Sequence, residues 1–157
     1  MDNTECKVVE VTEEFNQDSH NSDIEKIEGE MLQIEQVECP VKHHYAPGVY
    51  CREIFMPKGS FVIGHKHKTK HFNIVLSGRA RVMCNNEISE ISAPHIFVSG
   101  EGVRKVLYII EDMKWATIHP TDETDLDNLE QILIEKSDCW KEFQLSEQKC
   151  KELMGDK

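Results

Sequence analysis

From Val49 to Pro120 the chain reads as a succession of short runs in which apolar and polar residues alternate. GVYCREIFMPKG, FVIGHKH, HFNIVLSG, RARVMC, EISEISAP, HIFVSG, KVLYII and KWATIHP are rich in β-branched or aromatic residues, and each is bounded by Gly, Pro, Asn or Ser. Successive side chains on a strand point to opposite faces, so such runs bury one face and wet the other. Many short strands with no helix between them predict an antiparallel sandwich or barrel. Asn85-Asn86 suits a two-residue hairpin turn, because asparagine tolerates positive φ. A weaker alternation in MLQIEQVE extends the β pattern back to Met31.

After Pro120 the period changes. Leu126, Leu129, Ile132 and Leu133 recur at helical spacing, which predicts a helix from about Asp125 to Lys136 with Thr124 as its N-cap. Ser137 is placed to cap a second helix, Asp138 to about Met154, with Trp140, Phe143 and Leu145 available for docking. Residues 1–29 are acid-rich and poor in aromatics and read as a mobile arm, with a short strand at Lys7–Val11. The expected organisation is an acidic arm over 1–29, a β-barrel over 30–121 and a helical segment over 122–157.

Composition narrows the function. A chain of 157 residues suits one domain with a real core. Its net charge of −11 is unevenly spread: residues 41–120 carry 11 Lys/Arg against 6 Asp/Glu, and the flanks are acidic. Overall repulsion from phosphates argues against double-stranded nucleic acid as a partner, whereas a small anion in the basic centre is compatible. No apolar run is long enough to span a bilayer, and MDNTECKVVEVTEEF has no basic-then-apolar leader, so a cytoplasmic protein is expected. The six cysteines form no CxxC pair, which argues against a zinc knuckle, and in that compartment they stay reduced.

The chemistry concentrates in GSFVIGHKHKTKHFNIVLSG, Gly59 to Gly78. His65 and His67 stand two apart, so a strand presents both imidazoles on one face. A turn at Lys68-Thr69-Lys70 lets His71, opening the next strand, join them as a third metal ligand. Cations nearby give a second reading: Arg52, Arg81, Arg104 and Lys105, with Tyr50 as a hydrogen-bonding group, line a metal-free pocket for phosphate or carboxylate. A third reading leaves HKHKTKH as a solvated basic hairpin with Lys66, Lys68 and Lys70 in water. His43, His44, His95 and His119 read as loop or structural histidines. Glu53 and Tyr50 are the available general bases, and alternation sends Tyr50, Arg52 and Ile54 to one face and Cys51, Glu53 and Phe55 to the other.

The spacing of Gly59, His65, His67, His71 and Gly78 resembles the first motif of the cupin superfamily, G-x5-HxH-x(3,4)-E-x6-G. The departure is His71, which stands where the family carries a glutamate. The second motif is matched poorly: Gly100-Glu101-Gly102 falls on its turn, but Arg104 or Lys105 occupies the position of its ligand histidine. The resemblance implies an all-β fold, a single cupin-type antiparallel β-barrel (jelly roll) with one or two C-terminal helices. It also implies pairing through edge strands into a homodimer. For cofactor it leaves open one divalent transition metal (zinc, iron, nickel or manganese) at His65, His67 and His71, or none. WATIHPTDETDLDNLE, Trp115 to Glu130, is similar to a run in small cupin-domain proteins of tailed phages, which implies a phage product in the host cytoplasm. The functions left open are a small-molecule-binding cupin, a metal-dependent cupin enzyme (oxygenase, isomerase or lyase), and a phage anti-defence protein acting on a nucleotide signal. No catalytic residue is assigned.

Overall fold

A computed structural model describes residues 17–155. The chain runs α1 (Gln17–Met31), β1 (Val41–Ala46), β2 (Val49–Met56), β3 (Phe61–Ile63), β4 (Lys66–His67), β5 (His71–Cys84), β6 (Glu87–Ser92), β7 (His95–Ser99) and β8 (Val106–Pro120). It ends with α2 (Leu126–Leu133), β9 (Ile134–Glu135) and α3 (Asp138–Met154). The main sheet is antiparallel in the order β1-β2-β8-β5-β6, with β3 on β8 and β7 on β5. This is the antiparallel jelly-roll class read from the sequence, with two helices at its C-terminal end, although hydrogen bonding does not close the sheet on itself.

The two long strands organise everything else. β8 pairs with β3 through Val106–Tyr108 and with β2 through Met113–Pro120. β5 pairs with β7 through His71–Val75 and with β6 through Arg79–Cys84. Alternation on these strands builds the core: Val75, Ala80 and Val82 from β5 meet Leu107, Ile109, Met113 and Trp115 from β8. Gly78, expected to end a strand, lies inside β5 instead. It sits at φ +88 in a stretch where the β5–β8 register slips, so it acts as a bulge that lets the strand bend and continue. Asn85 and Asn86 take φ of 53 and 60, as the hairpin requires.

The N-terminal reading is corrected. Gln17–Met31 form a helix instead of a mobile arm, and the residues from Leu32 to Pro40 form no strand; the strand expected at Lys7–Val11 lies outside the described residues. The buried stripe of α1 is His20, Ile24 and Glu28, spaced four apart. Two of these three are polar, and each is matched by a partner. His20 hydrogen-bonds Asn86 Oδ1 at 3.0 Å and receives the Asn85 backbone N–H. Glu28 accepts from Arg104 at 2.9 Å, and both side chains are about 5% exposed.

The C-terminal segment closes one end. α2 is capped by Asp125, not Thr124: its carboxylate accepts the Asn128 N–H at 3.0 Å. Leu129 and Leu133 bury against Tyr50, forming a second small core. β9 then pairs with β4, and the Lys68 backbone N–H donates to Leu133 O at 2.8 Å. Ser137 caps α3 through Trp140 N–H. Among the described residues no helix is long and apolar enough to cross a membrane.

Candidate metal and ligand site

The site follows from strand register. On β2 the inward positions are Tyr50, Arg52, Ile54 and Met56, and they stand opposite His119, Thr117, Trp115 and Met113 of β8. On β5, Asn73 and Val75 stand opposite Thr117 and Trp115. Rungs on one face therefore grade from histidine and tyrosine at the end covered by α2, through Arg52, Thr117 and Asn73, to the apolar core. Above that face lies a cavity of about 540 Å³, with α2, β9 and α3 on its far side.

Three imidazoles converge in it. Ligand atoms of His67, His71 and His119 all lie within 4.8 Å of one another. The rings stack, with centroid separations of 4.0 Å for His67–His71, 4.9 Å for His71–His119 and 5.4 Å for His67–His119. Burial pushes His67 down to about 2, with the charges of His71, His119, Lys105 and Arg52 acting the same way. Burial likewise pushes His119 to about 4 and lowers His71. All three are neutral at neutral pH, the form that ligates metal. His71 Nδ1 lies 3.0 Å from the Thr69 carbonyl, so it carries the proton and leaves the Nε2 lone pair free. Nδ1 of His67 and Nδ1 of His119 are buried without a hydrogen-bond partner. A buried polar atom left unpaired costs about 1–3 kcal/mol, and a bound ion relieves that cost. The donor set fits a divalent transition metal.

The sequence-predicted triad is altered in one member. His65 lines the same cavity but does not belong to the cluster; its ring sits 5.2 Å from Trp140, edge-on. His119, read as structural, takes its place. Nor do Gly59–Gly78 fold back on themselves: β3 pairs with β8, β4 with β9, and β5 with β7 and β8. The lysines of HKHKTKH do point outward, but Lys66 pairs with Glu135 and Lys68 donates to Gln131 O, which ties the segment to the C-terminal cover.

The expected ligand-binding residues divide. Arg52, Lys105 and Tyr50 line the cavity. Arg81 is exposed on β5 and is not among the cavity residues. Arg104 is buried with its guanidinium committed to Glu28 and to the Gly64 carbonyl, so it anchors α1. Glu53 faces away and pairs with His44 at 3.1 Å, which removes it as a base in this cavity. Tyr50 hydroxyl is hydrogen-bonded to His43 at 2.8 Å. Lys105 donates to Ser99 Oγ at 2.5 Å; Asn73 also donates to that oxygen and accepts from Trp115 Nε1. Burial lowers the pKa of both Lys105 and Arg52.

Among solved structures the chain is similar to an RmlC-like cupin family protein with a double-stranded β-helix fold from Methanocaldococcus jannaschii. That likeness has 14% identity and a TM-score of 0.46, over 57% of this chain and 93% of that one. A cupin-2 domain containing protein from Shewanella frigidimarina gives 15% identity and a TM-score of 0.43 over 60% and 92%. KdgF from Halomonas sp. gives 15% and 0.46 over 55% and 86%. No family model matches the chain, and no curated protein matches it. At this level of likeness none of the neighbours' activities transfers to this chain.

Proposed function

We propose that the protein binds one divalent transition metal ion at His67, His71 and His119 and, beside it, a small anionic molecule held by Arg52 and Lys105. The observation that carries this reading is the convergence of three neutral imidazoles, two buried and one half-buried, within 4.8 Å in a cavity of ligand size. The anion follows from charge. Glu130 is the one carboxylate among the cavity residues; it is paired with Lys136 and acts on Arg52 only through its charge, so neither Arg52 nor Lys105 makes a direct ion pair among the described residues. Metal content of tag-free protein, read beside His67→Ala and His71→Ala, tests the proposal. About one ion per chain, lost in both variants, supports it; folded protein that takes up no ion overturns the metal centre.

A second reading makes the same centre catalytic. Three protein ligands leave coordination positions open, which is the arrangement of catalytic rather than structural sites. A metal bound there supplies Lewis acidity to a substrate or water. This chain's own contribution is orientation, through Arg52 and Lys105. The likeness of Trp115–Glu130 to phage cupin-domain proteins supports a phage product in the host cytoplasm. Homodimerisation is supported by the exposed apolar side chains Phe72, Leu76, Ile96 and Val98 on the outer face of β5 and β7.

A further inference from the structure

The chemistry of the cavity is lopsided. Its cations and its histidine cluster gather at the sheet. Arg52 sits one inward position from the Tyr50–His119 rung, opposite Thr117. Lys105 reaches Ser99, the residue paired with His71. Both cations therefore flank the histidine cluster, and Thr117 Oγ1 between β2 and β5 is buried with no hydrogen-bond partner. The facing wall is different: α2 and β9 present Leu126, Leu129, Leu133 and Ile134, and its polar side chains Glu130 and Gln144 are both engaged by Lys136.

A metal ion with a small inorganic anion occupies only the sheet side of about 540 Å³ and leaves the leucine wall against water. A nucleotide fills the volume but sets ribose hydroxyls and a second charge against a mainly aliphatic wall, whose Glu130 and Gln144 are already engaged by Lys136. Resting on the function proposed above, we infer that the anion is amphiphilic: one carboxylate head between Arg52 and Lys105, on an aliphatic or aromatic body packed against Leu126, Leu129 and Leu133.

The molecule carries its own reporter. Its two tryptophans, Trp115 and Trp140, both line the cavity. Titration of metal-loaded protein with decanoate should change tryptophan emission saturably. Acetate, which has the head alone, and AMP should bind at least about ten-fold more weakly. Arg52→Met should weaken decanoate by about ten-fold or more while leaving metal content unchanged, since Arg52 is not a ligand. Leu126→Gln, at a position already 44% exposed and so tolerant of change, should weaken decanoate several-fold without affecting acetate. AMP or inorganic phosphate binding more tightly than decanoate overturns the amphiphile and leaves the anion site standing. Decanoate binding untouched by Arg52→Met also overturns it. Metal uptake with no response to any anion removes the ligand half of the function and this inference together.

Discussion

The ring of His119 lies 4.9 Å from that of His71, tilted by 23°, because the Phe72–Ile118 pairing of β5 and β8 sets the two histidines side by side at the next rung. In the proposed metal centre, that adjacency makes His119 a ligand and His65 a neighbour. His119→Ala should abolish stoichiometric metal binding, whereas His65→Ala should keep it. Elemental analysis of the two purified variants checks this, and metal lost from His65→Ala alone would reverse the assignment.

The buried pair Glu28–Arg104 makes a pH prediction. Burial acts to raise the Glu28 pKa, but hydrogen bonds from Arg104 and Ser137 and the Arg104 charge outweigh it, and the net direction is below the ordinary 4.5. A carboxyl depressed on folding stabilises fully above its unfolded pKa, and that stability is lost as pH falls through the folded value. Glu28→Gln should cost about 3 kcal/mol at pH 7, because Arg104 is left buried without its counter-charge. The difference from the unaltered protein should shrink below about pH 4.5. The buried neutral histidines also destabilise the fold in acid, and His65, pushed down to about 4 by burial but held up by the charge of Glu28, feels the substitution; denaturant melts at two pH values in a His65→Ala background, with and without Glu28→Gln, isolate Glu28.

How much of this was legible in the sequence depends on whether local or non-local pairing decides. The strands were readable because alternation at Tyr50, Arg52 and Ile54 matches the face they occupy. The caps at Asn85-Asn86 and Ser137 were readable because those residues act on their own backbone. Helix α1 was not, because its buried stripe is His20, Ile24 and Glu28, and a hydrophobicity pattern registers only one of the three. The HxH rule put His65 with His67, yet β4 contains only Lys66 and His67, too short to impose strand alternation on His65. His119 carries a signal of its own: Met113, Trp115 and His119 fall on the same alternation, and burying the first two draws the last to the same face. Nothing local distinguishes Arg104 from Lys105. The partner that claims Arg104 is Glu28, on a helix the pattern did not reveal.

Gly78 offers a clean test of the bulge. A Cβ there would collide with the Asp112 carbonyl oxygen and lie 2.7 Å from Met113 Cα, and both are backbone atoms of β8 that cannot swing aside. Gly78→Ala adds that clash to the cost of φ +88, so a loss above about 3 kcal/mol is expected. Gly48, at φ +74, has nothing within 4 Å of its Cβ position. Gly48→Ala carries only the conformational penalty, about 1–2 kcal/mol. Denaturant midpoints of the two variants should separate accordingly; equal losses would mean β8 gives way at Asp112.

The cover over the cavity should open as a unit of its own. Leu129 and Leu133 pack against Tyr50 and Ile134, a cluster distinct from the core around Val75, Ile109 and Met113. Few bonds join the cover to the rest of the fold: the two-residue β4–β9 ladder, the Lys68 backbone bond to Leu133, the Lys68 side-chain bond to Gln131 O and the Lys66–Glu135 pair, which is exposed and worth little. Truncating a buried leucine costs about 2–5 kcal/mol where the whole fold feels the hole. Here Leu129→Ala should discharge most of that cost locally, by freeing α2 and β9. Amide exchange in Leu126–Glu135 should quicken strongly while β5 and β8 stay protected, whereas Ile109→Ala should lower protection throughout the sheet. The same local opening exposes Trp140, so emission should shift to the red before global unfolding begins. Exchange that rises equally in the cover and the sheet would show that the two clusters form one cooperative core, and the cavity would then have no independent door.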